Sequence, residues 1–304
     1  MCGIVGVISS NRSLIDQKTH IARMMNEISY RGPDGEGTHY IENQAYFGHK
    51  RLAVIDINHG KQPMVSQDSR YSLVFNGEIY NYLELKELLK TEYKFKTKSD
   101  TEVLLASFKK WGPECLNKLY GAFAFCIYDL KKDSAFFARD RFGQKPIYFW
   151  KDKQNLYFSS EIKFFKIFGY ENKMDLNTWQ LYLQNAQTDN SRKTFFKGVF
   201  QLLPGECMSY SNQNIKINKW YNLLENINDN KIQDKEKIIN NLYDELEDAI
   251  KLNNRSDTKI SISLSGGLDS NTLLSFYKNS KNLKNIPQCY SIYFEKFLVE
   301  KKLI

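Results

Sequence analysis

Long apolar runs, blocks of like charge and paired cysteines are all missing from this chain of 304 residues. No apolar run approaches the roughly 18 residues that a membrane-spanning helix needs. The first six residues carry no positive charge, and Asn11 and Arg12 follow too early for the apolar core of a signal peptide. The net charge is +8, but the basic residues are scattered along the chain. We therefore expect neither a membrane partner nor a nucleic-acid partner.

Cysteine is scarce and is not arranged for cross-linking or metal binding. The five cysteines are an odd number, and no two of them form a CxxC pair. This pattern excludes a disulfide framework and a zinc site of that type, and it favours a reducing, cytoplasmic location. Hydrophobic residues make up 42% and aromatic residues 14% of the chain, too much apolar surface for a disordered protein. At roughly 100–200 residues per domain, the length predicts two domains.

The sequence pattern changes near residue 222, and the change predicts a domain boundary there. Residues 1–222 contain short, aromatic-rich strands, for example at 71–75, 121–128 and 134–138, with few helices. Residues 223–234 are rich in Asn and Asp and predict a linker. Residues 235–304 show an amphipathic helix, a strand at 259–264, a glycine-rich turn, a helix from about Asn271 and a strand at 288–294. The strand–helix–strand order is typical of a parallel sheet.

Cys2 follows Met1 directly, and this position allows an N-terminal nucleophile. Removal of Met1 would place a thiol and a free α-amine on one residue. The amine, with a reference pKa of about 7.7–8, is partly neutral near pH 7 and can accept the thiol proton. From position alone, a small apolar residue opening a first strand is the simpler interpretation of Cys2.

Three further groups admit both a functional and a structural interpretation. Asn76 and Gly77 follow a strand and could form an oxyanion hole, although Asn-Gly is also the commonest tight hairpin turn. Arg51 could bind a carboxylate or could simply be solvated at a strand end. Asp100 could bind an ammonium group, or it could favour the first turn of a helix capped by Ser99. Considered one at a time, the structural interpretations are the simpler ones.

The loop Ser265–Ser270, with the sequence SGGLDS, carries a more specific signal. It follows an apolar strand and opens a helix, where glycines allow backbone N–H groups to cradle an anion. It lacks the Lys-[Ser/Thr] ending of the Walker A loop. The pattern therefore predicts a site for the pyrophosphate of ATP, with release of AMP.

Eight strings in this order resemble the glutamine-dependent asparagine synthetase family. They are Met1–Gly6, Arg31–Asp34, Gly48–Leu52, Asn76–Asn81, Ser99–Glu102, Ala138–Gly143, Ser160–Lys163 and Ser265–Ser270. Any one of them could arise by chance, but the whole set is very specific. Glucosamine-phosphate synthases and purine amidotransferases share the N-terminal cysteine. The combination of His49-x-Arg51-Leu52, Asn76–Asn81 and Ser265–Ser270 argues against them.

The resemblance implies two folds and a glutamine site. The fold class is an α+β four-layer αββα sandwich of an N-terminal-nucleophile hydrolase, followed by a truncated α/β parallel-sheet domain of the ATP-pyrophosphatase type. Cys2 would attack the glutamine side-chain amide, giving a thioester and ammonia, while Asn76 and Gly77 would hold the oxyanion. The glutamine α-carboxylate would bind Arg51, and the α-amine would bind Glu78 and Asp100. The implied glutamine-binding residues are Arg51, Leu52, Ala53, Val54, Ile55, Asn76, Gly77, Glu78 and Asp100.

The resemblance also implies a second activity in the C-terminal block. ATP and Mg²⁺ would adenylate the side-chain carboxylate of aspartate, and ammonia from the first site would displace AMP; glutamine hydrolysis itself needs no cofactor. The implied ATP-binding residues are Leu264, Ser265, Gly266, Gly267, Asp269, Ser270 and Ile292. No protein residue is predicted to ligate a metal directly.

The C-terminal block of 235–304 is short for the family, so we expect an incomplete synthetase domain from a frameshifted, split or partial gene product. The acceptor is open between aspartate and a sugar carboxylate of surface-polysaccharide synthesis. Other interpretations are a separately encoded synthetase half that docks on this chain, and a fragment with glutaminase activity only or with no activity. A homodimer is also compatible with the sequence.

Overall fold

The computed structural model describes residues 1–9, 17–188, 191–227, 234–279 and 287–292, and the structural statements below concern these ranges. They fall into two units, one within Met1–Asn226 and one within Ile227–Ile304. No helix in the described ranges is both long enough and apolar enough to cross a membrane. Part of the predicted linker, residues 228–233, and the last twelve residues, 293–304, lie outside the described ranges.

The first unit contains twelve strands and four α-helices among its described residues. In chain order they are β1 (Gly3–Ser9), α1 (Gln17–Glu27), β2 (Gly35–Ile41), β3 (Ala45–Arg51), β4 (Met64–Val65), β5 (Tyr71–Ile79), α2 (Tyr82–Leu89), α3 (Asp100–Trp111), β6 (Gly121–Asp129), β7 (Ser134–Arg139), β8 (Tyr148–Lys151), β9 (Asn155–Ser159), α4 (Leu176–Asn185), β10 (Val199–Gln201), β11 (Glu206–Ser211) and β12 (Asn214–Lys219). Short 3₁₀ helices lie at Ser29–Arg31, Gly112–Lys118, Ile162–Phe168 and Leu224–Asn226.

The strands form two six-stranded sheets. The first sheet has the order β10-β8-β9-β1-β3-β2, and the second has the order β12-β11-β7-β6-β5-β4. All neighbouring strands within them are antiparallel. Three interior strands carry or adjoin part of the predicted glutamine site: Cys2 directly precedes β1, Arg51 ends β3, and Asn76 and Gly77 lie on β5.

Successive side chains of β1 point to opposite faces of the first sheet and pack into two different layers. Ile4 and Ile8 of β1 pack between the sheets, in one buried cluster with Val74 of β5. Val5 and Val7 point the other way, into a cluster with Ile21, Met24 and Met25 of α1. A strand buried on both faces is expected only at the centre of a multilayer fold.

The opposite face of the second sheet is covered by α2 and α3. Leu73 and Phe75 of β5 pack there with Leu85 of α2 and with Val103 and Leu104 of α3. The layers are thus helix, sheet, sheet and helix, as predicted.

The second unit contains α5 (Lys235–Asn253), β13 (Ser261–Ser263), α6 (Leu268–Asn279) and β14 (Gln288–Tyr290) among its described residues. The two strands are parallel, as the strand–helix–strand pattern predicts. The buried cluster of this unit is small and contains Ile250, Ile262, Phe276 and Tyr277. The helix predicted from about Asn271 begins earlier, at Leu268, because the glycine-rich turn leads directly into it.

The interpretation of Asn76-Gly77 as a hairpin turn is wrong. Both residues lie inside β5, which continues from Tyr71 to Ile79 and pairs with β6 along its whole length. Gly77 has a φ of +149°, and a Cβ at this position would stand 2.1 Å from the carbonyl oxygen of Ala122. The glycine is therefore needed for close approach of two strands, and not for a reversal of the chain.

Candidate active site

One pocket in the first unit collects most of the residues predicted to act on glutamine. Its cavity volume is about 90 Å³. Its walls are formed by Met1, Cys2, Arg51, Leu52, Val54, Ile55, Gln62, Phe75, Asn76, Gly77, Glu78, Ser99, Asp100, Thr101 and Lys145. Of the predicted glutamine-site residues, Ala53 alone does not line this pocket; its backbone N–H instead donates to Asp34 Oδ2 at 2.8 Å.

Cys2 precedes β1 and is fixed on two sides. The Leu52 N–H lies 3.4 Å from the Cys2 sulfur, and the Arg31 Nε donates to the Cys2 carbonyl oxygen at 2.9 Å. Burial raises the pKa of the Cys2 thiol, and the bond to Leu52 opposes the increase. The thiol is consequently protonated near neutral pH, so it needs a base to become a nucleophile.

An amino group is available close to this thiol. In the chain as encoded, it belongs to Met1, and burial lowers its pKa below the ordinary value. A lowered pKa increases the neutral fraction of an amine and thus its capacity to accept a proton. Cys115, Cys126 and Cys207 are buried elsewhere in the fold, and Cys289 is exposed in the second unit.

Asn76 presents an unsatisfied amide to the pocket. The residue is fully buried, and neither Oδ1 nor Nδ2 has a hydrogen-bond partner among the described residues. A buried amide that makes no hydrogen bond is costly, since it has lost its water without replacement. The Asn76 amide therefore has hydrogen-bonding capacity available for a ligand in the pocket.

Arg51, at the end of β3, is engaged with the loop that follows it. Its guanidinium donates to the carbonyl oxygens of Ile57 at 2.7 Å, of Asp56 at 2.8 Å and of Ile55 at 2.9 Å. These bonds leave part of the five-donor fork for an additional acceptor. Arg51 therefore shapes the pocket wall as well as contributing a positive charge to it.

The string Arg31–Asp34 supports the same loop, a role that the sequence did not reveal. Asp34 accepts from Ala53, as described above, and its own N–H donates to the Arg51 carbonyl oxygen at 3.0 Å. A Cβ on Gly32 would stand 2.3 Å from the Lys50 carbonyl carbon, so glycine is required where this segment crosses β3.

Two carboxyl groups, those of Glu78 and Asp100, line the pocket. Burial raises the pKa of Glu78, and Lys145 and the amino terminus oppose this increase. Burial raises the pKa of Asp100 to about 7, opposed by the Ile79 N–H, which donates to Asp100 Oδ2 at 3.0 Å. Ser99 caps α3 as predicted, by accepting from the Thr101 N–H at 3.1 Å. Both carboxyl groups can change charge when a cation enters the pocket.

The residue Phe75 is held by two side chains that sequence reasoning missed. Gln62 Oε1 accepts from the Phe75 N–H at 2.7 Å, and His49 Nε2 lies 3.1 Å from the Phe75 carbonyl oxygen. The short β4 pairs with Ser72 and Leu73 only, so these side chains replace a neighbouring strand beyond its end. Burial lowers the pKa of His49 to about 3 and keeps its ring neutral. The contacts depend on long-range strand pairing and left no local signal.

The predicted ATP loop has the expected position between β13 and α6. Gly266 has a φ of +77°, and the Ser265 and Ser270 hydroxyl oxygens lie 3.3 Å apart. Leu264 is buried and its N–H donates to the Tyr290 carbonyl oxygen at 2.8 Å, whereas Ile292 is 83% exposed. Gly267 and Asp269 are exposed at the start of α6. Among the described residues, no three His, Cys, Asp or Glu side chains form a cluster able to hold a metal ion.

The family models match both parts of the chain. The model of a glutamine amidotransferase domain matches residues 1–221. The chain belongs to this family. The model of asparagine synthase matches residues 241–302 of this amidotransferase chain.

Curated relatives match most of the chain. Asparagine synthetase [glutamine-hydrolyzing] 3 of Bacillus subtilis is 33% identical over 279 residues, which are 90% of this chain and 44% of the relative. Asparagine synthetase B [glutamine-hydrolyzing] of Escherichia coli is 32% identical over 280 residues, which are 91% of this chain and 45% of the relative. The amidotransferase thus spans less than half the length of these two relatives.

Solved structures confirm the fold class of the amidotransferase. Glutamine phosphoribosylpyrophosphate amidotransferase from Bacillus subtilis, complexed with ADP and GMP, matches 72% of this chain and 49% of its own, with a TM-score of 0.52 and 20% identity. A second structure, described as the allosteric regulatory enzyme of purine biosynthesis, matches the same shares with a TM-score of 0.53. The prediction of an αββα sandwich is therefore confirmed, and the parallel pairing of β13 with β14 confirms a small parallel sheet after it.

Proposed function

We propose that the chain hydrolyses glutamine at Cys2 and supplies the ammonia to an ATP-dependent amidation of a carboxylate, with aspartate as the acceptor. The observation that carries the first half is the fully buried Asn76 amide, unsatisfied among the described residues, in the same pocket as Cys2. A thiol, an amine with a lowered pKa and hydrogen-bond donors without a partner suit acyl transfer from an amide.

The proposed reaction begins with removal of Met1, which frees the α-amine of Cys2. The amine accepts the thiol proton, and the sulfur attacks the side-chain carbonyl carbon of glutamine. The Asn76 Nδ2 and the Gly77 N–H donate to the oxyanion that forms. The carbon–nitrogen bond then breaks, the departing nitrogen takes the proton from the amine, and ammonia leaves. Water hydrolyses the remaining thioester to glutamate and restores the thiol.

Recognition of glutamine is assigned to the charged walls of the pocket. Arg51 binds the α-carboxylate with the donors that the 55–57 carbonyl groups leave available. Glu78 and Asp100 bind the α-ammonium, whose arrival favours the ionised form of both carboxyl groups. Leu52, Val54 and Ile55 enclose the aliphatic part of the substrate, while Ala53 fixes their loop through Asp34.

The second half of the proposal rests on Ser265–Ser270. Gly266, the exposed Gly267 and the start of α6 offer backbone N–H groups to an anion, which suits the pyrophosphate of ATP. Mg²⁺ would enter with ATP and would neutralise phosphate charge beside this loop. Leu264 and Ile292 are proposed to contact the nucleoside.

The test uses the full chain with glutamine, ATP, Mg²⁺ and either aspartate or a uronic acid, and it measures glutamate and pyrophosphate separately. Glutamate formation that disappears in Cys2→Ala and persists in Cys289→Ala supports the glutaminase. Pyrophosphate release that requires aspartate supports the acceptor, and release that requires the uronic acid assigns a sugar carboxylate instead. Glutamate without pyrophosphate in every mixture would leave the glutaminase standing and refute ATP-dependent amidation by this chain.

A further inference from the structure

The pocket contains a cation, Lys145, to which the glutamine chemistry above assigns no role. Lys145 follows β7 by six residues and lines the same pocket as Cys2 and Glu78. Its ammonium has no hydrogen bond or ion pair among the described residues, yet it lies within electrostatic range of Glu78 and of the amino terminus. The Lys145 ammonium is therefore available to act on groups inside the pocket.

The loop that carries Lys145 is clamped through its N–H groups. Both oxygens of the fully buried Asp140 carboxylate are used. Oδ1 accepts from the N–H groups of Phe142 and Gln144, each at 3.0 Å. Oδ2 accepts from the N–H of Lys145 at 3.0 Å and from that of Phe123 on β6 at 3.1 Å. One side chain thus ties the loop to the second sheet.

Arg139 clamps the same loop through its carbonyl groups. The guanidinium donates to the Lys145 oxygen at 2.9 Å and to the Gly143 oxygen at 2.7 Å. It is anchored in turn by the Leu202 oxygen at 2.6 Å. The string Ala138–Gly143, which the glutamine chemistry leaves unused, therefore supports the loop that continues to Lys145 in the pocket wall.

We propose that Lys145 is a further residue of the glutamine pocket, placed by the Arg139–Asp140 clamp to hold Glu78 and the amino terminus in the charge states that glutamine hydrolysis requires. A cation beside Glu78 favours the carboxylate, which can then bind the substrate ammonium. The same cation disfavours protonation of the amino terminus, and after removal of Met1 it would act in the same sense on the amine of Cys2. This inference rests on the proposed glutaminase activity.

Other charged groups also act on Glu78 and on the amino terminus, and a test of Lys145 must leave those groups unchanged. Those that influence Glu78, its neighbour Asp100 or the amino terminus are Arg31, Cys2, Tyr80 and Lys145 itself. Substitution of Lys145 alone changes one positive charge and none of the others. Both consequences have the same sign, since Glu78 and the amine would each be protonated at higher pH without the cation.

The experiment compares kcat/KM for glutamine across pH in the full chain, Lys145→Met, Lys145→Arg and Lys153→Met. Lys153 is an exposed lysine in the turn between β8 and β9, outside the pocket, and serves as the matched control. In Lys145→Met we expect the acid limb of the kcat/KM profile to move to higher pH by about one unit. This shift lowers kcat/KM about tenfold near pH 6. The loss should shrink to less than about twofold well above the limb, and Lys145→Arg should restore the original limb.

Two results would overturn the inference while the glutaminase stands. One is coincident pH profiles of Lys145→Met and the unaltered chain. The other is an equal loss at every pH with a lowered melting temperature, which would assign Lys145 to the stability of its loop. An unaltered chain that produces no glutamate at any pH would instead refute the proposed function, and this inference with it.

Discussion

The Nε2 atom of His49 lies 3.1 Å from the carbonyl oxygen of Phe75, the residue immediately before Asn76. A carbonyl oxygen can only accept, so Nε2 carries the ring proton and donates it across the gap between the two sheets. The peptide held in this way is the one that bears the Asn76 N–H. His49 therefore links β3, which carries Arg51, to the strand that carries the proposed oxyanion donors.

Replacement of His49 should affect turnover more than substrate affinity. In His49→Leu the Phe75 carbonyl loses its buried donor, at a cost of about 1–3 kcal/mol, and β5 is free to shift at Asn76. We expect kcat to fall about tenfold, because a small displacement of a transition-state donor is expensive, while KM stays within about twofold. Steady-state kinetics of His49→Leu and His49→Gln give the answer, since the Gln amide can replace the Nε2 donor. An effect on KM alone, or no rescue by Gln, would contradict the positioning role.

His49 should also make the fold sensitive to acid. Its pKa is about 3 in the folded chain, whereas an unperturbed histidine has a pKa of about 6.5. Between these values the unfolded chain binds a proton that the folded chain refuses, so the free energy of unfolding decreases as pH falls through this window. The contribution is at most about 1.4 kcal/mol per pH unit. Urea unfolding at several pH values should show a flatter acid dependence in His49→Gln; an unchanged slope would mean that His49 is protonated in the fold.

Substitution of Asn76, the proposed oxyanion donor, and of Arg51, the proposed carboxylate-binding residue, should change different kinetic constants. Asn76→Ala removes a donor that is useful only when charge develops on the substrate oxygen, so kcat should fall by roughly 10²–10³-fold. Arg51→Ala removes a contact made equally in the ground state, so it should mainly raise KM. Because Arg51 also braces the 55–57 carbonyl groups, thermal melting of both variants serves as the control. The reverse kinetic pattern would show that the two roles are assigned wrongly.

The sequence indicated the pocket-lining residues better than it indicated the residues that position them. The strings around Cys2, Arg51, Asn76 and Asp100 predicted that these four residues would lie together, because a family resemblance assigns each residue separately, and all four line one pocket. The local preference of Asn-Gly for a turn misled at Asn76, since pairing with β6 overrides it.

Long-range contacts account for what remained hidden. Gln62 and His49 meet at Phe75 from different parts of the chain, and neither contact has a local pattern. Lys145 enters the pocket only because Arg139 and Asp140 fold their loop back on the sheet.

Covalent labelling of Cys2 tests the central claim most directly. The full chain, Cys2→Ala and Cys289→Ala are treated with the glutamine-analogue electrophile diazo-oxo-norleucine and examined by intact-mass and peptide mass spectrometry. Cys289 is the exposed cysteine of the second unit and controls for simple accessibility. We predict loss of Met1, one adduct at Cys2 in the unaltered chain and in Cys289→Ala, and none in Cys2→Ala. Retention of Met1 in an active chain, or labelling that persists unchanged in Cys2→Ala, would contradict an N-terminal cysteine nucleophile.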